Sequence, residues 1–226
     1  MKRVKAVVFD CDGVMFDSMK ANEAYYNHIL AQFGKPDMSK EECDYVHMNT
    51  AERSVTYLFR NDPKLEDALA YWHSMNYQPF IPIMEMEPYL KEFLEYLRPT
   101  YKTAIATNRS DTMPDVLKDH GLEGYFDLVV TCLDVKHPKP HPESLIKILD
   151  HFGLSPEEAI YIGDSQIDEM TANAAGVPLI GYKNPRLSAA FHVTHFKEIE
   201  EFLEKSDWAR GKKKIMPQAL CLGSFC

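Results

Sequence analysis

Asp10 and Asp12 stand one residue apart, directly behind the run Val7-Val8-Phe9 and directly before Gly13. In an extended chain, alternate residues point the same way, so the two carboxylates start out together as the chain leaves a sheet. Crowding two negative charges costs on the order of several kcal/mol unless a cation or a proton is shared between them. A surface turn seldom carries an acid pair directly after a hydrophobic strand. The chemistry that suits these residues is magnesium-assisted phosphoryl transfer, with one aspartate as nucleophile and its neighbour as acid/base.

Such residues need a scaffold to aim them. After the first strand, Ala21, Tyr25, Ile29 and Phe33 recur every four residues, which predicts a helix over Lys20 to Phe33 that Gly34 stops. Ser39-Lys40-Glu41-Glu42 is a capping box opening a second helix. Thr50 to Phe59 reads as a third, with Val55, Leu58 and Phe59 on one stripe. Asp62-Pro63 reads as an N-cap with proline at the first position of a fourth. The proline-rich stretch Pro79 to Pro88 then marks a hinge or linker.

Beyond it, strands at Thr103–Ala106, Leu128–Thr131, Ala159–Ile162 and Pro178–Tyr182 alternate with helices over Tyr89–Leu97, Met113–His120, Pro142–Phe152 and a segment ending at Gly176. That alternation predicts a parallel sheet covered on both faces. The expected architecture is α/β, a doubly wound parallel sheet with an inserted all-α cap. Residues 1–15 and 84–208 form the core, 16–83 the cap, and 209–226 a flexible tail.

Ligands of open parallel sheets bind beyond the carboxyl ends of the strands. Those ends deliver Asp10 and Asp12, then Thr107 and Asn108, then Asp164 with Ser165 and Asp168 just beyond. Lys139 lies in His137-Pro138-Lys139-Pro140-His141-Pro142, just before a proline-opened helix. Each has a plainer alternative. Thr107-Asn108 and Asp164/Asp168 suit helix caps, and Lys139 suits a solvated loop. His137 and His141 have a metal-like spacing, but the prolines forbid a helical histidine pair, which disfavours zinc. The coincidence at one sheet edge favours a site.

Taken together, these stretches resemble the haloacid-dehalogenase-like hydrolase superfamily, nearest its phosphoglycolate-phosphatase and β-phosphoglucomutase-like branch with a helical cap. Phe9-Asp10-Cys11-Asp12-Gly13-Val14 resembles the first family motif and Ala106-Thr107-Asn108 the second. Lys139-Pro140-His141-Pro142 resembles the third and Gly163-Asp164-Ser165-Gln166-Ile167-Asp168 the fourth. The resemblance spans roughly residues 4 to 205. It implies that Asp10 attacks phosphorus, that Asp12 is the acid/base, and that Thr107, Asn108 and Lys139 hold the phosphoryl oxygens. It also implies Mg²⁺ on Asp10, the Asp12 carbonyl and Asp164, with Asp168 acting indirectly. Asp12 stands where the dehalogenase branch lacks an acid, and this disfavours dehalogenation. Arg53 on the cap is a candidate for a substrate's distal anionic group, with a solvated helix surface as its plainer reading.

The net charge of −9 argues against nucleic-acid or anionic-membrane binding. No apolar run approaches the roughly 20 residues of a membrane span. The N-terminus runs straight into a strand, without a signal peptide. The five scattered cysteines suit a reduced cytoplasmic protein. The partner expected is therefore a small phosphorylated metabolite, and nothing in the sequence sets an oligomeric state. Two other readings remain at this point. One is a sugar-phosphate mutase; the other is a non-enzymatic phospho-accepting or phosphate-binding module akin to a response-regulator receiver.

Overall fold

The computed structural model describes residues 3–208, without the side chains of 206–208. The tail expected from 209 onward, with Cys221 and Cys226, lies outside the described residues. Strand β1, Ala6–Phe9, is buried along its whole length, as an apolar run covered on both faces must be. After β2, Phe16–Asp17, come α1 Met19–Gln32, α2 Lys40–Met48, α3 Ala51–Leu58 and α4 Leu65–Ser74. A 3₁₀ turn, Gln78–Ile83, leads to β3, Glu85–Met86, which pairs antiparallel with β2. Thus the chain leaves and re-enters the sheet region through one two-stranded ribbon.

The remainder alternates: α5 Leu90–Leu97, β4 Lys102–Ala106, α6 Met113–Asp119, β5 Leu128–Val130, α7 Glu143–Phe152, β6 Ala159–Gly163, α8 Gln166–Ala175, β7 Leu179–Tyr182, β8 Phe191–Val193 and α9 Phe196–Trp208. The main sheet has the order β5-β4-β1-β6-β7-β8, and every pairing is parallel. Chain order reverses on either side of β1, so the crevice beside its carboxyl end is the switch point where such sheets hold ligands.

The period of two along β1 explains the layers. Val7 and Phe9 pack with Phe93, Leu94, Val116, Phe196 and Ile199 of α5, α6 and α9. Ala6 and Val8 face the other way, with Ala104, Ala106 and Ala159, against Leu145, Ile148 and Ala172 of α7 and α8. Alanines on that face let the two helices approach closely. The inserted helices share the first core, through Tyr25, Tyr26, Ile29, Val55 and Phe59.

Two local readings change. Helix α4 starts at Leu65 behind Lys64, two residues later than Asp62-Pro63 suggested. Asp62 is occupied instead in accepting from the Lys64 N–H and in an ion pair with Lys35 at 2.8 Å. Strand β8 and helix α9 extend the sheet and its cover beyond the last strand read from periodicity.

Candidate active site

The Asp10 N–H donates to the Ile162 carbonyl at 2.9 Å, continuing the β1–β6 ladder one residue past the strand. Asp10 is therefore held by backbone at the switch point. Its carboxylate meets Lys139 Nζ at 2.8 Å, and both residues are buried. The same ammonium donates to Asp168 Oδ1 at 2.7 Å and to the Tyr161 hydroxyl at 2.9 Å. Ser165 gives Asp168 Oδ2 both its hydroxyl and its N–H, at 2.6 and 3.1 Å, in the capping box of α8. Both oxygens of Asp168 are thus committed, which suits a residue that positions Lys139.

Asp164 enters from the end of β6, and its position depends on Gly13. Gly13 sits at φ +81°, and a Cβ there would lie 2.1 Å from Asp164 Oδ2. Only glycine satisfies both demands. Asp10, Asp164 and Asp168 each offer a carboxylate oxygen within 4.8 Å of the others. Hard oxygen donors in such a cluster fit a hard divalent cation.

Asp12 is separated from this group. Arg109 clamps it with Nε on Oδ2 at 2.8 Å and Nη2 on Oδ1 at 2.7 Å, while the Ser18 hydroxyl donates to Oδ1. Arg109 Nη2 also reaches the Tyr77 hydroxyl at 3.2 Å, which donates to Asn22, which in turn meets His47. This polar chain carries Asp12's surroundings into the inserted helices. The two aspartates do not share one counter-ion; each has its own.

Electrostatics follow the pairing. Burial, then the Asp168 charge, raise Asp10 to about 7 despite Lys139. Burial and the same carboxylates push Asp164 well above the ordinary range. Burial opposes the charge of Asp12, but the Arg109 guanidinium holds it below the usual carboxylate value. Asp168 is likewise buried, yet Lys139 keeps it low. A folded chain that keeps protons on Asp10 and Asp164 loses them on unfolding at pH values above about 4. The metal-free protein should therefore lose stability as pH rises from about 4 to the value of about 7 reached by Asp10. Asp12 and Asp168 act in the opposite sense, but their stabilisation is complete above about pH 4 to 5. Thermal unfolding in chelator across this window tests the expectation. A fall no smaller in Asp10→Asn than in the parent chain contradicts it.

Thr107 and Asn108 follow β4 and do not cap the next helix, which begins at Met113. Thr107 Oγ1 accepts from the Arg109 N–H at 3.1 Å, which turns the chain toward Asp12. Asn108 Nδ2 donates to the Met48 and Lys139 carbonyls, and its buried Oδ1 has no partner. Asp10, Asp12, Thr107, Asn108, Lys139 and Asp164 line one cleft of about 200 Å³, roofed by Tyr25, Tyr26, His47, Trp72 and Tyr77. Arg53 does not join them; it is exposed on α3 and outside the cleft lining. Sequence reasoning missed Arg109 and Tyr161. Arg109 follows Thr107-Asn108 directly, a visible signal. Tyr161 was detectable only as a hydroxyl inside an apolar strand.

Comparisons with known proteins show the family. Residues 7–182 match the family described as haloacid dehalogenase-like hydrolase. Pyrophosphatase PpaX of Bacillus velezensis is 31% identical over 182 residues, covering 80% of this chain and 83% of that protein. A crystal structure of a haloacid-dehalogenase-superfamily hydrolase, subfamily IA, from Geobacter sulfurreducens is 40% identical with a TM-score of 0.73, covering 88% and 96% of the two chains. A β-phosphoglucomutase from Clostridium difficile, 19% identical with a TM-score of 0.74 and covering 91% and 99%, shares the fold. With its motif residues gathered at the switch point of a parallel sheet, the chain belongs to the haloacid dehalogenase-like hydrolase family and is an enzyme of that family.

Proposed function

We propose that this enzyme is a Mg²⁺-dependent phosphatase that hydrolyses a small phosphate monoester through a phosphoryl-Asp10 intermediate. The observation that carries the reading is the Asp10 carboxylate, paired with buried Lys139 at 2.8 Å and crowded by Asp164 and Asp168. An in-line nucleophile beside fixed positive charge is what phosphoryl transfer requires. Asp10 attacks phosphorus and the ester oxygen leaves. Lys139, the Thr107 hydroxyl and the Asn108 N–H hold the non-bridging oxygens. Mg²⁺ on Asp10, the Asp12 carbonyl and Asp164 would neutralise charge on the phosphoryl group.

Asp12 has to protonate the leaving alcohol and later take a proton from the attacking water. Clamped by Arg109 it is a carboxylate, fit for the second task. A guanidinium binds phosphate oxygens as readily as carboxylate oxygens. A phosphate dianion entering the cleft competes for Arg109, lifts the restraint on Asp12, and lets it carry the proton needed first.

Residues 16–83 act as a cap, hinged near Phe16–Ser18 and Ile81–Met86, that shuts water out of the cleft. With the cap over a cleft of about 200 Å³, folded phosphoproteins should be poor substrates. A cytoplasmic setting is supported by the unpaired thiols of Cys11, Cys43 and Cys132.

Free phosphate released from a broad panel of small phosphomonoesters, with and without Mg²⁺, is the test. Inorganic pyrophosphate belongs in the panel because the Bacillus relative is named a pyrophosphatase. Hydrolysis should need Mg²⁺ and vanish in excess chelator; Ca²⁺, with its larger and looser coordination, should inhibit. Undiminished turnover in chelator defeats the proposal. An isomerised sugar phosphate without free phosphate would identify a mutase instead.

A further inference from the structure

The Lys139 loop has a second face. His137 and His141 bracket that lysine, and outside the cleft their rings come to 4.7 Å of each other. Glu143, the first residue of α7, lies between them: its Oε2 is 3.0 Å from His137 Nδ1 and 3.8 Å from His141 Nδ1. Ligand atoms of all three residues lie within 4.8 Å of one another. The side chains remain 64%, 50% and 30% exposed, so an ion can reach them.

We propose that His137, His141 and Glu143 form a surface site for a borderline transition-metal ion, Zn²⁺ being the one to which the proposal commits.

The distances favour it. Four-coordinate zinc with bonds of roughly 2.0–2.1 Å spaces its ligand atoms about 3.3 Å apart, and 3.0 and 3.8 Å bracket that edge. Two imidazoles and one carboxylate are a zinc donor set that leaves one position for water. Mg²⁺ and Ca²⁺ prefer oxygen donors and should not compete.

The chain also arrives pre-set. Pro138, Pro140 and Pro142 restrict the backbone between the ligands. Glu143 Oε1 accepts from the Lys136 N–H at 2.8 Å, and Oε2 from the His137 N–H at 3.1 Å. The Lys139 carbonyl is tied to Asn108, and its ammonium to Asp10 and Asp168. The backbone between the ligands therefore has little freedom left to lose on binding, which favours affinity. A helical pair was excluded by the prolines, and the structure uses a proline-bounded turn instead.

Three features oppose the ion. The His137 Nδ1···Glu143 Oε2 contact at 3.0 Å is itself a hydrogen bond that zinc replaces. His141 Nδ1 accepts from the Glu143 N–H at 3.3 Å, a long hydrogen bond that a bond to zinc replaces. The N-terminus of α7 carries roughly half a positive charge, which the full charge of Glu143 outweighs. Bound zinc would staple the outer face of the loop whose inner face presents Lys139.

The test is a zinc titration of the full-length, tag-free chain against a chromophoric chelator, with excess Mg²⁺ present to fill the cleft carboxylates. One zinc equivalent per chain is expected. In the double variant His137→Gln/His141→Gln its affinity should fall by more than the roughly 10–100-fold that loss of an outer partner costs. A Cys221→Ser/Cys226→Ser chain should retain the equivalent. Nitrogen-15 NMR of the histidine rings in the unmutated chain gives a reading independent of variant folding: zinc should shift His137 and His141. No uptake, unchanged uptake by the double variant, loss in the cysteine variant, or shifts confined to other histidines would each overturn the site.

Discussion

Asp10→Asn should abolish turnover, while Asp12→Asn should slow it by about 10²–10⁴-fold, the usual worth of positioned proton transfer. The two residues are alike in composition and differ entirely in surroundings. Asp10 lies against Lys139 and the carboxylate cluster, where an amide cannot form an acyl-phosphate. Asp12 lies against Arg109 and Ser18, where an asparagine keeps the backbone but loses the proton. With a leaving group as good as p-nitrophenolate the first step needs little acid help, whereas hydrolysis of the intermediate still needs a base. Phosphoenzyme should then accumulate in Asp12→Asn. Intact-protein mass after an acid quench should show a phosphate adduct on that variant and none on Asp10→Asn. An adduct persisting without Asp10 refutes the assignment.

Lys139→Met should cost both rate and stability. Loss of one fixed donor to the developing charge is typically worth about 10²–10³ in rate. In the fold, Lys139 is the ammonium between two carboxylates, at 2.8 Å from Asp10 and 2.7 Å from Asp168, and all three are buried. Breaking a buried pair by removing one partner typically costs about 3–5 kcal/mol, because a charge stays buried without compensation. Part of that cost is avoided where Asp10, already raised to about 7, takes up a proton. The denaturant midpoint of the variant should therefore fall more at pH 8 than at pH 5.5. Adding Asp168→Asn removes the stranded charge and should recover part of the loss, a coupling that a double-mutant cycle reads directly. Strict additivity of the two substitutions would contradict the shared ion pair.

Much of the sheet was legible because a strand buried on both faces must be apolar throughout. Val7-Val8-Phe9 and Ala159–Ile162 could hardly be anything else, and helix starts such as Ser39 with Glu42 carry their hydrogen bonds in the sequence itself. Short elements escaped for the same reason. Phe16–Asp17 and Glu85–Met86 are two residues long, too short to show a period, and Phe191–Val193 has its apolar run broken by the exposed His192. Asp62-Pro63 misled because an aspartate can bond its own local backbone in several ways, and a lysine 27 residues away selected one.

The sequence by itself determined the donor types and the strand end from which each departs: Asp10, Asp12, Thr107, Asn108 and Asp164 follow apolar runs, and covalent order cannot put them elsewhere. Partnership was left to the tertiary structure. Arg109 reaches Asp12 across 97 residues, Lys139 joins Asp168 across 29, and Arg53 stays in solvent although its type suited the cleft. Charge pairing falls off with distance and depends on burial, and neither quantity exists until the chain has packed. His137 and His141 make the same point on the outer face: the prolines between them forbid the helix on which residues four apart would meet, and a turn bounded by those prolines brings their ring centroids to 4.7 Å instead.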